Sequence, residues 1–291
     1  MPSISIIIIN YNGLQYTKDC IESLFQFRSS KSFEVIVVDN NSTDGSQTEL
    51  PILFPEIIFL SLPENKGFGA ANNIGAKKAK GELLFFVNND TLFIDETIEK
   101  LAKFFSEQND CGIISPKLMN GDRTFQLSFG KYPSIAVELD AKRISKDYSL
   151  WTKEEIISNV ATQKDWVTGA AIMIKRDLFE AIGGFDERFF MYFEDIDLCR
   201  MIDKRGFKSF YIPSVSLVHL GGKSYGQKDP KIIFEYRRSQ LLYYDKHNSL
   251  FQRIMVRLYI ILKFFPKLFV MTDHLLAFNV LKLACTPQYY K

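Results

Sequence analysis

Three short polar segments close apolar runs in this chain. Asp39-Asn40-Asn41-Ser42-Thr43-Asp44 follows Val35 to Val38, and Asn88-Asn89-Asp90 follows Leu83 to Val87. Glu194-Asp195-Ile196-Asp197 follows the aromatic run Phe189-Phe190-Met191-Tyr192-Phe193. Open α/β sheets bind ligands outside the carboxyl ends of their strands, so polar clusters at such points are candidate site residues. A nucleoside diphosphate calls for a base pocket, a cation for its pyrophosphate and a general base for an attacking group. Three acidic clusters suffice to supply these.

Glu194, Asp195 and Asp197 place three carboxylates within four residues. Their mutual repulsion raises at least one pKa, and a helix N-terminus opposes that rise. Partial burial behind the aromatic run would suit one of them to general-base work. First-turn acids that start a helix explain one or two of the three, but the third badly. Asp90 is the kind of group that holds Mg²⁺, which takes one or two protein carboxylates and completes its shell with phosphates and water. Helix capping by Asn89 and Asp90 accounts for the same residues. Capping also accounts for Asp39 and Asp44, which sit among Asn, Ser and Thr. Gly67-Phe68-Gly69 suggests a dinucleotide turn, but Asn72 replaces the final glycine and the first strand ends in Asn10-Tyr11-Asn12-Gly13. A Rossmann dehydrogenase is thereby disfavoured, and the lack of a GxxxxGK[ST] segment excludes a P-loop.

The elements that must position these clusters follow from periodicity. Ile4 to Ile9 and Phe33 to Val38 are continuous apolar runs, as in strands buried on both faces. Ile57 to Leu62 and Leu83 to Val87 read as further strands. Helices are expected over 14–27, 69–80 and 95–106. This alternation predicts βαβ units, a mainly parallel open sheet and helices on both faces. Residues 121–163 are irregular and read as a binding loop. Trp166 to Ile174 reads as one strand, Asp177 to Ile182 and Asp195 to Arg205 as helices, and Lys208 to Ile212 and Val215 to His219 as two short strands. A helical tail begins at Pro230, with a kink expected at Pro266.

The polar clusters extend into longer motifs. These are Ile6 to Gly13, Val37 to Gly45, Asn65 to Asn73, Val87 to Asp90, Trp166-Val167-Thr168-Gly169-Ala170, Gly183 to Glu187, Glu194 to Cys199 and His219-Leu220-Gly221-Gly222. In that order and spacing, over residues 3 to 225, the chain resembles a family 2 glycosyltransferase of the GT-A fold, in its rhamnosyltransferase-like branch. The resemblance implies an inverting, metal-dependent transfer of one sugar from a nucleotide-diphosphate donor, dTDP-rhamnose or a UDP-sugar, to a glycan or lipid-linked acceptor in surface polysaccharide synthesis. It implies that Asp39 accepts the imide N–H of uracil or thymine, with Asn10, Tyr11, Asn12, Asn41, Asn65, Gly67, Asn72 and Asn89 also in the nucleotide site. It further implies a cation, Mn²⁺ or Mg²⁺, on Asp90 and His219, and acceptor or sugar contacts at Trp166, Gly169 and Ala170. Asp195 is expected as the base, with Glu194 and Asp197 beside it. Relatives often carry a second acid where this chain has Asn88 and Asn89, so cation binding without nucleotide is expected to be weak. An imidazole ligand tilts preference toward Mn²⁺, although a loop histidine bonded to backbone is an equal account of His219. The Gln-x-x-Arg-Trp segment of processive relatives is missing.

Length and charge complete the expectations. The 291 residues suit a catalytic domain, 1–225, and a basic helical extension, 226–291. From Lys223 onward twelve Lys/Arg stand against four Asp/Glu, a net +8 that leaves −6 for the rest. This tail is rich in Leu, Ile and Phe and lacks helix-turn-helix or zinc signatures, so nucleic acid is not an expected partner. Two uses fit it: docking on an anionic membrane leaflet, or pairing with a second copy as a homodimer. Helices that simply cover their own domain are the plain alternative. Cys20, Cys111, Cys199 and Cys285 are too scattered for a disulfide framework or zinc site and are expected as small apolar residues in a reducing compartment. No signal peptide and no spanning helix are expected. The location inferred is cytoplasmic, peripheral on the inner face of the membrane. The rival functions are a nucleotidyltransferase of related fold, which lacks its glycine-rich phosphate loop here, and a non-catalytic membrane-docked binding module.

Overall fold

The computed structural model of the protein describes residues 3–27, 33–144, 159–221, 229–270 and 274–286. Gly222, Lys223 and the 225/226 boundary lie outside the described residues, as does part of the expected binding loop, 145–158. The first half runs β1 (Ile4–Asn10), α1 (Leu14–Gln26), β2 (Phe33–Asp39), α2 (Ser46–Leu53), β3 (Ile58–Ser61), α3 (Phe68–Lys78), β4 (Leu83–Asn88), β5 (Thr91–Phe93) and α4 (Thr97–Glu107). It continues with β6 (Cys111–Met119), β7 (Phe125–Gln126), β8 (Phe129–Gly130) and α5 (Ile135–Ile144). Then come β9 (Thr162–Lys164), β10 (Trp166–Val167), β11 (Ala171–Lys175), α6 (Arg176–Ala181), α7 (Glu194–Asp203) and β12 (Lys208–His219).

The main sheet has the order β3-β2-β1-β4-β11-β6-β12-β5. The pairs β3–β2, β2–β1 and β1–β4 are parallel, as is β12–β6, while β11 and β5 insert antiparallel. The apolar runs reflect burial on both faces. Ile4, Ile6 and Ile8 share one core with Val35, Val37, Phe85 and Val87, roofed by Cys20, Ile21 and Leu24 of α1 and Leu101 and Phe105 of α4. Ile7, Ile36, Val38 and Phe86 face the opposite core, roofed by Ala71 and Ala76 of α3, Phe179 of α6 and Leu198 and Ile202 of α7. The expected mainly parallel sheet with helices on both faces is present.

Several elements depart from expectation. Trp166 to Ile174 is not one strand: Trp166–Val167 pairs with β8 in a separate ribbon, and Ala171–Lys175 joins the main sheet. The two strands expected before His219 are one, β12, with a register shift between Ile212 and Ser216. Pro213 stands in that gap and cannot donate to a ladder, which suits a bulge. Strand β6 is almost wholly buried, yet Gly112, Ser115, Pro116 and Lys117 hid it from hydropathy. The irregular stretch holds β7, β8, α5 and β9 among the described residues. Helix α2 carries Pro51 inside.

The tail folds as α8 (Pro230–His247), α9 (Leu250–Phe264), a 3₁₀ turn (Phe265–Phe269) and α10 (His274–Cys285). The break at Pro266 is the 3₁₀ turn. Asp229 caps α8 by accepting from the Lys231 N–H, with Pro230 in the first turn. These helices share a third core built from Leu241, Tyr244, Val256, Ile260, Phe264, Ala277 and Val280. Phe189 and Phe193, from the run before the acidic cluster, complete it. Cys20, Cys111 and Cys199 are buried as expected, while Cys285 is exposed.

Helix α3 lies close to the sheet at Gly75, where an added Cβ would stand 2.6 Å from Ile7 Cγ2 and 3.1 Å from Val38 Cγ2. Alanine there would gain about 1 kcal/mol of helix propensity. Forcing the helix off the sheet would cost about 1–3 kcal/mol. Gly75→Ala is therefore expected to lower stability by up to about 2 kcal/mol, seen as a lower urea midpoint with an unchanged slope. A rise in midpoint would show that the helix retreats freely.

Candidate active site

Strand register brings the clusters together. Asn10 pairs with Asp39 and Ile9 with Asn88, so β1, β2 and β4 end side by side. Asn10 is fully buried at that edge. Its amide donates to Asp39 Oδ2 at 2.7 Å and Ser42 Oγ at 3.1 Å, and its Oδ1 accepts from Thr17 Oγ1 at 2.8 Å and Asn89 Nδ2 at 3.2 Å. Asn89 also donates to Thr17 Oγ1, at 3.1 Å. Asp39 is fully buried as well; its Oδ1 accepts from Ser42 N and Gln47 Nε2, both at 2.9 Å. Asn12 and Asn41 adopt positive φ, 50° and 69°, and are exposed at the loop tips, with Tyr11 half-buried between. Asn12 Oδ1 accepts from Thr43 N at 2.8 Å, joining the two tips.

A second loop docks on this edge. Asn40 Nδ2 donates to Asn65 Oδ1 at 2.9 Å, and Asn40 Oδ1 accepts from Lys66 N at 2.8 Å. Gly67 has φ +83°, and a Cβ there would stand 2.3 Å from the Phe190 carbonyl oxygen, which accepts from Phe68 N at 3.0 Å. Asn72 is buried one turn into α3, donating to the Phe68 carbonyl at 3.1 Å while its Oδ1 lacks a partner.

Asp90 and His219 meet because β12 runs antiparallel to β5, with His219 opposite Thr91. His219 Nε2 lies 3.2 Å from Asp90 Oδ1 and 3.2 Å from Asn88 Nδ2. Nδ1 lies 2.7 Å from Gln126 Oε1, an acceptor, so Nδ1 carries the hydrogen and Nε2 presents its lone pair. In the neutral ring that lone pair faces the carboxylate oxygen, a pair of donors spaced to hold a cation between them; in the imidazolium Nε2–H would donate to Asp90 instead. The donors suit a divalent ion ordered by an outer amide. Among the described residues no group of three or more His, Cys, Asp or Glu could hold a metal by itself, so other ligands must complete the shell.

The acidic cluster opens α7. Tyr192 and Phe193 precede it with φ of 66° and 68°, unusual for large side chains and held only where packing over-determines them. Helix α8 provides that packing. Ser239 Oγ donates to the Met191 carbonyl at 2.7 Å, and the Phe193 ring meets those of Tyr236 and Tyr243 with centroids 5.3 and 5.7 Å apart. The turn directs the three acids differently. Asp195 Oδ2 accepts from Gly169 N and Oδ1 from Ile196 N, each at 2.8 Å. A Cβ on Gly169 would lie 3.2 Å from Asp195 Cβ. Ala170 accepts from Asn88 N at 2.9 Å, so the Gly169-Ala170 step links Asp195 to the Asp90 corner. Burial pushes the Asp195 carboxyl up, and the two N–H donors hold that rise back. Glu194 is buried with Oε2 unpartnered; burial, then the Asp195 charge, push its carboxyl well above the usual range.

Asp197 points elsewhere. It is buried and bound by Lys246 Nζ at 2.8 Å and His247 Nε2 at 2.6 Å. Lys246 also reaches Asp186 Oδ2 at 2.7 Å. Burial keeps His247 neutral, its pKa lowered despite Asp197. Trp166 stacks over Gly130 and donates to the Lys131 carbonyl at 2.9 Å, a structural engagement. Sequence reasoning missed Gln126, Gln47, Lys246 and His247. Gln126 lies in the irregular stretch, and α8 carried no motif.

The Glu194 carboxyl, raised in the folded state, favours folding below its ordinary pKa of 4.5, and that contribution is lost as pH rises through the folded value. Glu194→Gln removes this loss. Its Tm is expected to match the parent near pH 4 and to exceed it by a few degrees at pH 7 to 8. An unchanged difference across pH would show that Glu194 is not held against its charge.

Comparisons with known proteins bear on this site. The family model described as Glycosyl transferase family 2 matches residues 5–183, more than half of the chain. The N-acetylglucosaminyl-diphospho-decaprenol L-rhamnosyltransferase of Mycobacterium tuberculosis (strain CDC 1551 / Oshkosh) is 24% identical over 263 residues, covering 84% of this chain and 85% of the relative. Among solved structures, GalNAc-T7 with UDP, GalNAc and Mn²⁺ superposes with TM-score 0.61 at 16% identity, covering 84% of this chain and 50% of that one. The mannosyltransferase PcManGT from Pyrobaculum calidifontis, in complex with GDP-Man and Mn²⁺, gives 0.58 at 17% identity, covering 97% and 73%. The sheet is thus of the GT-A type, the nucleotidyltransferase and binding-module alternatives fall away, and the chain belongs to glycosyl transferase family 2.

Proposed function

We propose that this glycosyltransferase is inverting and metal-dependent, and that it moves one sugar, a deoxyhexose such as rhamnose, from a nucleotide-diphosphate donor to a lipid-linked or glycan acceptor. Surface polysaccharide synthesis is the setting this serves. The observation carrying it is the placement of Asp195, raised by burial and bonded to Gly169, on the same sheet edge as Asp90 and His219. The decaprenol-linked rhamnosyltransferase matched along most of the chain supports the sugar and acceptor class.

The geometry supports the following roles. The loops at Tyr11, Asn12, Asn41 and Asn65 to Gly67 cradle the nucleotide above the Asn10–Asp39–Asn89 lattice. Asp39 is already bound by three donors, so it reads a uracil or thymine imide only through a remaining lone pair. Asp90 and His219 would hold Mn²⁺ or Mg²⁺, which supplies charge neutralisation for the departing diphosphate. The acceptor hydroxyl attacks the anomeric carbon opposite the departing diphosphate, and Asp195 takes its proton. Each Asp195 oxygen keeps a lone pair beyond its one backbone donor. The Gly169-Ala170 step lines the sugar side. Glu194 stands beside Asp195 as the carboxyl that keeps its proton, pushed up by burial and by the Asp195 charge, while Asp197 anchors α7 to α8.

Asp195→Asn is expected to lower kcat by about 10²–10⁴-fold with donor affinity retained. Asp197→Asn should instead lower Tm, because Lys246 and His247 lose their shared acceptor. Transfer by Asp195→Asn near the parental rate would remove Asp195 as base.

Asp90→Asn should weaken UDP or dTDP binding in the presence of Mn²⁺ and leave metal-free binding little changed, as read by calorimetry. Equal affinities for parent and variant with Mn²⁺ would reduce Asp90 to a capping residue.

A further inference from the structure

Helix α9 carries apolar residues on two faces. Val256, Ile260 and Phe264 point into the core shared with α8 and α10. On its other side Phe251, Ile254, Leu258 and Leu262 recur at helical spacing and stand exposed, Leu262 by 75%, and Phe265 and Phe269 of the 3₁₀ turn extend the stripe. Surface helices ordinarily turn polar residues outward. A continuous apolar face of this extent marks an interaction or membrane site. Nothing among the described residues covers it. No helix of these is long and apolar enough to cross a membrane.

The charge around the face selects its occupant. Helix α9 and the turn after it carry Arg253, Arg257, Lys263 and Lys267 and no acidic residue, with Arg257 paired to Asp245 of α8 at 2.6 Å. Lys263 and Lys267 belong to the helix end and turn that bear the stripe. A second copy meeting the same face would bring two cationic segments together, whereas an anionic bilayer meets both the apolar stripe and its basic flank. We propose that α9 and the turn after it lie in the interface of an anionic lipid bilayer, apolar face down, with Lys263 and Lys267 at headgroup level. This deepens the transferase reading by naming the surface on which a lipid-linked acceptor is met.

Flotation of the full chain with vesicles of phosphatidylcholine mixed with phosphatidylglycerol, against phosphatidylcholine alone, tests it. The protein should float with the mixed vesicles. The double variant Leu258→Glu/Leu262→Glu should partition at least about tenfold less, with an unchanged melt because both side chains lie outside the core. Phe251→Glu serves as a second variant should the double one unfold. Lys263→Gln should lower partition into anionic vesicles about fivefold. No flotation at low ionic strength, flotation untouched by the glutamates, or a dimer in solution that the glutamates dissolve would each overturn the proposal. Donor hydrolysis without vesicles, measured on the same variants, should be unchanged, and its absence from the parent too would strike the transferase reading alone.

Discussion

One buried amide joins the parts on which the site rests. Asn10 is fully enclosed and uses both donor hydrogens and both acceptor positions, on Asp39, Ser42, Thr17 and Asn89. It thereby ties the end of β1 to β2, to α1 and to the end of β4. Four partners satisfy it, so its burial is tolerated; a single missing partner would leave a desolvated group at a cost of about 1–3 kcal/mol. The geometry of the loops above follows from this knot. Asn12 and Ser42 are neighbours because Asn10 and Asp39 are, and the bond from Asn89 to Asn10 fixes the residue before Asp90.

The acidic end of the site is held by a different device. Tyr192 and Phe193 occupy a backbone region that costs of order 1–3 kcal/mol each, and the sheet alone does not compensate it. Helix α8 does, through rings on Phe193, a hydroxyl on the Met191 carbonyl, and Lys246 and His247 on Asp197. The three carboxylates that repel one another in sequence are thus separated in role. Asp197 is paired with a cation and hydrogen-bonded by a neutral imidazole, Asp195 is bonded to backbone amides, and Glu194 is left buried without a partner on one oxygen.

Much of this was legible from the chain alone, for identifiable reasons. Doubly buried strands leave unbroken apolar runs, so β1, β2 and β4 and the polar residues at their ends stood out. Residues 121–163 did not, because their strands are two or three residues long and their periodicity has no room to show. Strand β6 hid behind Pro116 and Lys117, which a buried strand seldom holds. The partners of Asp197 were beyond reach, since Lys246 and His247 read as part of a basic tail until α8 is seen against α7. The apolar and basic residues of the tail were read as an amphipathic helical extension, but which of them face inward depends on packing among three helices.

The engagement of Phe193 and Asp197 by α8 carries a consequence for biogenesis. A nascent chain emerges amino end first, and its early segments fold while later ones are still being made. The sheet edge around Asn10 can form from the first ninety or so residues, but the turn at Tyr192 stays uncompensated until Tyr243 and His247 have left the ribosome, some fifty residues later. Order at the acidic turn is thereby withheld from incomplete polypeptides: a truncated product can retain the Asn10 edge while lacking the partners that fix Phe193 and Asp197.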